Sequence, residues 1–160
     1  MKRLISYIPD FITSMNLLCG VIGVVFAFKC RFDMAFYFML AAAVFDFLDG
    51  FVARLLGAYS DLGKELDSLS DVVSFGVLPS VMLYSLMKTF MFGESLVCWV
   101  PLLIAVFSGI RLAKFNVDTR QHSSFLGLPT PACALLCASL SYFVCATPDT
   151  FLPHVFDNAA

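Results

Sequence analysis

The sequence predicts an all-α protein, a polytopic transmembrane helix bundle with about five spans. Three observations carry that prediction. Of the 160 residues, 60% are hydrophobic, and the mean hydropathy is +0.88. Only 14% are charged, where a soluble domain averages about a quarter. The apolar residues also gather into runs of about 18 or more, the length that crosses a bilayer core.

The first span, 11–28, follows Lys2 and Arg3 and resembles a secretory leader. No small-x-small cleavage pattern follows it, Leu18 before Cys19 is too large for a lipoprotein site, and further spans come directly after. It therefore reads as a retained helix. The second and third spans, 34–56 and 62–88, carry five of the twelve acids. Pro79 is expected to kink the third, which membrane helices tolerate when neighbours satisfy the freed carbonyl. Spans at 96–115 and 127–147 complete the set. Connections are short and there is no repeat or low-complexity segment, so residues 1–160 read as a single domain.

Orientation follows from the basic residues. With the N-terminus in the cytoplasm, Lys2, Arg3, Arg54, Lys64, Arg111, Lys114 and Arg120 fall at cytoplasmic ends, against Lys29, Arg31 and Lys88 outside. The C-terminus then lies outside, and residues 148–160 are too short to add a span. The net charge of −2 offers no basic surface for nucleic acid. The six cysteines are scattered through apolar sequence with no C-x-x-C pair. They read as small buried hydrophobes rather than a metal site or a disulfide framework.

Six of the twelve acids sit between residues 46 and 71: Asp46, Asp49, Asp61, Glu65, Asp67 and Asp71. An Asp at the centre of a membrane helix costs about 2.5–3.5 kcal/mol on insertion scales, so four of them need a shared reason. Helical geometry supplies it. At about 100° per residue, Asp46, Asp49, Gly50, Ala53 and Arg54 fall within an arc of about 140°. Phe47, Leu48, Phe51, Val52 and Leu55 fill the rest. On the next span Gly63, Asp67, Ser70, Asp71 and Ser74 share a face, with Leu66, Leu69, Val72 and Val73 turned away. Two polar faces on consecutive antiparallel helices should meet and form a four-carboxylate cluster.

Such a cluster is self-repelling unless a cation neutralises it. Oxygen-only ligands suit Mg²⁺ or Mn²⁺, and Mg²⁺ commonly shares its shell with substrate phosphates. Gly50, Ala53 and Gly63 leave room for a bulky ligand near the backbone, and Arg54 adds a phosphate-matching fork. Other readings stand beside this one. Gly50 and Ala53 could serve tight helix packing, and Asp61 and Glu65 could simply be solvated. A proton or ion pathway would explain intramembrane Asp, but not the glycines with Arg54. An EF-hand fails, because the twelfth position is Gly57 or Ser60 instead of a bidentate Glu.

Asp46-x₂-Asp49-Gly50-x₂-Ala53-Arg54-x₈-Gly63-x₃-Asp67-x₃-Asp71 resembles, without a gap, the signature of the CDP-alcohol phosphotransferase family. The resemblance implies a membrane enzyme that displaces CMP from a CDP-linked donor with an alcohol. It implies a bundle of typically six or more spans, usually a homodimer, with its active site open to the cytoplasm. It further implies that Asp46, Asp49 and Asp67 hold divalent metal, two ions of Mg²⁺ or Mn²⁺, with Asp71 ligating or acting as base. One or more C-terminal spans are therefore expected to be missing from this chain.

Two further stretches narrow the branch. "RLAKFN" (Arg111 to Asn116) and "FLGLPTP" (Phe125 to Pro131) are similar to segments of bacterial and archaeal phosphatidylserine synthases. "IPDFITSMNLLCG" looks like that branch's opening, with Thr13 and Asn16 in register. Lys114 stands where Arg is common, and Asp10 where Asn is common. The expected reaction is CDP-diacylglycerol plus L-serine giving phosphatidylserine and CMP, at the inner membrane. Asp49, Gly50, Ala53, Arg54 and Gly63 would take the donor. Arg111, with Lys114 and Asn116, would take the serine carboxylate, although basic residues there also suit topology alone. The rivals are a relative of the phosphatidylglycerophosphate or phosphatidylinositol-phosphate synthase type, whose phosphorylated acceptor asks for a denser basic pocket, and a metal-ion transport protein.

Overall fold

The computed structural model describes residues 2–57, 60–90, 95–117 and 129–146, and every described regular element is helical. The elements are α1 (Lys2–Phe28), α2 (Phe32–Leu56), α3 (Asp61–Asp71), α4 (Leu78–Phe90), α5 (Leu103–Val117) and α6 (Thr130–Ala146). A π-helical turn, Val72–Val77, joins α3 to α4, and a 3₁₀ segment, Leu96–Leu102, leads into α5.

Helices α1 and α2 form an antiparallel hairpin. Its tight turn puts Cys30 at φ 55. Ala27, Ala35, Met39 and Ala42 are fully buried, and such small residues let membrane helices approach closely. Phe26 stacks on Phe38 with centroids 5.5 Å apart. Helix α2 stops at Gly57, whose φ of 56 is left-handed and whose N–H returns to the carbonyls of Ala53 and Arg54, the common glycine stop. Ser60 then caps α3, its Oγ accepting from the Gly63 N–H at 2.8 Å.

The expected disturbance at Pro79 takes the form of the π turn. Proline has no N–H to return to Phe75, and the Leu78 N–H reaches back five residues to Val73. Asp61–Thr89 runs as one apolar rod across this turn, and it is the hub: its most apolar window is 61% buried, against 28%, 22% and 11% for the other long spans. Helix α1 fits against it through glycines, since a Cβ on Gly20 would strike Ser74 and one on Gly23 would strike Leu78. Gly76 receives Ser108 of α5 in the same way. Helix α6 packs on α2 and α4 by Ala134, Ala138, Ser141 and Val144, with Tyr142 stacked on Phe36.

Four helical stretches among the described residues are long and apolar enough to cross a membrane: Tyr7–Phe28, Phe32–Leu56, Asp61–Thr89 and Leu96–Lys114. The fifth expected span appears as α6, apolar but only 17 residues long; its expected ends at 127, 128 and 147 lie outside the described residues. Many large apolar side chains face outward along the helices, among them Val21, Val25, Val44 and Phe107. Phe47 is 72% exposed and stacks on the exposed Phe51, as expected for the lipid side of α2. This is an integral membrane protein, an all-α polytopic bundle.

Candidate active site

The basic residues separate as their distribution in the chain predicts. Asp10 meets Ser60 and Gly63 at one end of the bundle. Arg54 and Lys64 open onto the same end, and Asn116 of α5 reaches Ser68 there. Cys30 and Thr89 meet at the opposite end, beside Lys29, Arg31 and Lys88. Arg120 lies outside the described residues, as do the side chains of Lys2 and Arg3.

The two acidic faces meet. One carboxylate oxygen each from Asp46, Asp49 and Asp67 lies within 4.8 Å of the others. Asp49 is 5% exposed, and Asp46 and Asp67 are half-buried. Asp71 lies outside that trio, with its carboxyl in hydrogen-bond contact with Asp46. Among the described residues, Asp49 Oδ2, Asp67 Oδ1 and Asp71 Oδ1 are buried without a hydrogen-bond partner. A buried acceptor left this way costs about 1–3 kcal/mol, more if charged. Converging oxygens, buried and unpartnered, fit a hard divalent cation, whose bonds of about 2.0–2.6 Å would link them after small side-chain adjustments.

Above the trio lies a cavity of about 410 Å³, within the usual range for a small-molecule site. Helix α1 contributes Pro9, Asp10 and Thr13; α2 contributes Asp49, Gly50, Ala53 and Arg54; α3 and its cap contribute Ser60, Asp61, Gly63, Lys64 and Asp67. Asp46 and Asp71 do not line it. All the residues expected to take the donor therefore border one space, with two aspartates of the trio in its wall.

The two motif glycines differ. A Cβ on Gly50 would find nothing within 4 Å, so the missing side chain widens the cavity and packs against no neighbouring helix. A Cβ on Gly63 would sit 2.5 Å from Asp10 Oδ1 and 2.8 Å from Ser60 Oγ. There the absent side chain lets α1 and the α3 cap close together. Asp10, Thr13, Ser60 and Lys64 border the same cavity, which the motif spacing alone does not indicate. Thr13 is 3% exposed and stands beside the Asp49 carboxylate. The legible signal was the polar spacing Asp10, Thr13, Asn16 along an otherwise apolar α1.

Of the residues expected to read serine, Asn116 donates from Nδ2 to Ser68 Oγ at 2.9 Å, next to Asp67. Arg111 is half-buried on α5, Lys114 is exposed, and neither lines the cavity. Residues 125–128 of "FLGLPTP" lie outside the described residues.

The sequence pattern of the CDP-alcohol phosphatidyltransferase family matches residues 6–156. A CDP-diacylglycerol–serine O-phosphatidyltransferase of Bacillus subtilis is 34% identical over 137 residues, covering 86% of this chain and 76% of the relative. One from Helicobacter pylori (strain J99) is 39% identical over 130 residues, 80% of this chain and 54% of the relative. An archaetidylserine synthase of Methanothermobacter thermautotrophicus is 37% identical over 142 residues, 86% of this chain and 60% of the relative. The chain thus spans little more than half the length of some of the relatives it matches.

Proposed function

The chain belongs to the CDP-alcohol phosphatidyltransferase family, and on that premise we propose that it transfers the phosphatidyl group of CDP-diacylglycerol to L-serine, releasing CMP. The observation that carries the proposal is the trio Asp46, Asp49 and Asp67, with buried unpartnered oxygens, in and beneath a cavity flanked by Arg54. The names of the relatives supply the serine acceptor.

The chain's own residues divide the work. Arg54 and Lys64 at the cavity wall hold the donor's phosphates, Arg54 by its planar fork. Gly50 and Ala53 leave space for the nucleotide, and the lipid tails remain in the bilayer beside the apolar flank of α2. Asp71 accepts the proton of the serine hydroxyl as its oxygen bonds to the phosphorus bearing the lipid, and the bond to CMP breaks. Asp46, Asp49 and Asp67 would hold Mg²⁺ or Mn²⁺, two ions in the family pattern, which would stabilise charge on the phosphoryl oxygens and the leaving CMP. Arg111, with Lys114 and Asn116, reads the serine carboxylate; the tie from Asn116 to Ser68 supports this by bringing the end of α5 beside Asp67.

The proposal includes a cytoplasmic-facing site in the inner membrane, supported by the basic residues gathered at that end, and a homodimer, supported by the resemblance alone. The test is CMP release from CDP-diacylglycerol by the purified protein with serine, glycerol 3-phosphate or inositol phosphate as acceptor. Release that depends on serine is expected. Release with a phosphorylated acceptor alone overturns the acceptor assignment, and metal binding without any CMP release overturns the reaction.

A further inference from the structure

The two basic residues assigned to the donor's phosphates stand on either side of one junction. Arg54 lies in the last turn of α2 and Lys64 in the opening turn of α3, and both line the cavity. A carboxylate on a third helix ties that junction to the rest of the bundle. Ser60, the cap of α3, accepts from the Gly63 N–H at 2.8 Å and donates its own proton to Asp10 Oδ1 of α1 at 3.3 Å. The bonds form one chain, from the backbone of α3 through its cap to α1. The fit is close, since a Cβ at Gly63 would strike Asp10 Oδ1 and Ser60 Oγ together. A carboxylate also suits this end of α3, where the first helical N–H groups are otherwise unsatisfied.

The placement of charge asks for such a role. Asp10 is half-buried and borders a cavity read as taking a pyrophosphate, and a carboxylate there repels the ligand. A carboxylate that merely lined the cavity would weaken the site. One that pins the cap of α3 strengthens it, by holding Lys64 where the phosphates arrive.

We propose that Asp10 is a positioning residue for the donor site: through Ser60 it holds the opening turn of α3, and Lys64 with it, against α1 in the arrangement that receives the donor. This rests on the reading of the cavity as the CDP-diacylglycerol site. Without the clasp the turn frays, only a fraction of the molecules is ready for the donor, and the apparent affinity falls by that fraction. Bound donor reassembles the turn, so the rate at saturating donor is kept. At 3.3 Å the bond from Ser60 is long for a hydroxyl, which makes the effect severalfold.

The test measures CDP-diacylglycerol binding by titration, KM for donor and serine, and kcat, all on the full chain. Asp10→Ala is expected to raise Kd and KM for the donor by about three- to tenfold, with kcat and the serine KM unchanged. Asp10→Asn keeps an accepting oxygen and should recover most of that loss. Ser60→Ala removes cap and clasp together and should lose at least as much as Asp10→Ala. Once Ser60 is replaced, Asp10→Ala should cost nothing further. Losses that simply add would show Asp10 touching the donor itself and overturn the proposal. Unchanged donor affinity in Asp10→Ala overturns it too, as does an equal loss in Asp10→Asn. A native chain that binds the donor but releases no CMP overturns the reaction alone, because titration still decides the clasp. A native chain that does not bind CDP-diacylglycerol overturns both.

Discussion

The two glycines of the motif permit a prediction in which stability and activity separate. Consider Gly50→Ala and Gly63→Ala, the same chemical change on neighbouring helices. At Gly50 the new Cβ meets no protein atom within 4 Å, so packing is untouched. Replacing an interior helical glycine should stabilise by up to about 1 kcal/mol. The methyl group instead projects into the 410 Å³ cavity, at a point where the donor must pass close to the backbone. Crowding of a fitted space costs about 1–3 kcal/mol, which is about five- to 150-fold in kcat/KM. At Gly63 the new Cβ would lie 2.5 Å from Asp10 Oδ1 and 2.8 Å from Ser60 Oγ. Ser60 is the cap of α3, and displacing it from the Gly63 N–H forfeits about 1 kcal/mol. The assay is a thermal midpoint in detergent beside KM for CDP-diacylglycerol and for serine. Gly50→Ala should leave the midpoint unchanged or raised and increase KM for the donor; Gly63→Ala should lower the midpoint. A destabilised Gly50→Ala with unchanged donor KM would refute the assignment of that space to substrate.

Three further outcomes follow from the same site. Chelation should abolish CMP release and added Mg²⁺ or Mn²⁺ restore it, while Asp49→Asn or Asp67→Asn should weaken Mn²⁺ binding by at least about ten- to a hundredfold; undiminished binding, measured by titration, would remove the trio as a metal site. Asp71→Asn should abolish single-turnover CMP release while CDP-diacylglycerol binding remains substantially intact, because the base acts on the acceptor. Arg111→Ala should raise KM for serine by about ten- to a hundredfold, the worth of a charge-assisted hydrogen bond of about 1.5–3 kcal/mol, and Arg111→Lys should recover only part. Full recovery by Lys would leave Arg111 a topological role, and equal losses for donor and acceptor would move it to phosphate binding.

The fold was legible because a bilayer imposes one rule on composition and another on length, and both are visible in a single chain. The acidic faces were legible for a related reason. Asp46, Asp49 and Asp67 are brought together by helical period and by antiparallel succession, and both can be counted along the sequence. The π turn before Pro79 was only half visible: proline announces a lost hydrogen bond, but whether the helix bends or widens depends on what packs there. Gly20, Gly23 and Gly76 each receive a neighbour close to that rod, and such fits belong to no one segment.

The contribution of α1 marks the boundary more sharply. Asp10, Thr13 and Asn16 recur every three residues, a spacing that fits a generic polar stripe. Their meaning comes from a register between α1 and α3, two helices separated by the whole of α2. Thr13 meets Ser70 through a backbone carbonyl at 3.3 Å, and Asn16 meets Ser74 through its side chain. No local pattern sets that register; the glycines at 20 and 63, which let the two helices close, help to fix it. The same dependence explains why identical residues in one motif divide in role. Gly50 faces open space and Gly63 faces Asp10 and Ser60, so one makes room for substrate and the other for protein. A motif read along the chain names the residues that meet, whereas the helix brought alongside them decides what each one does.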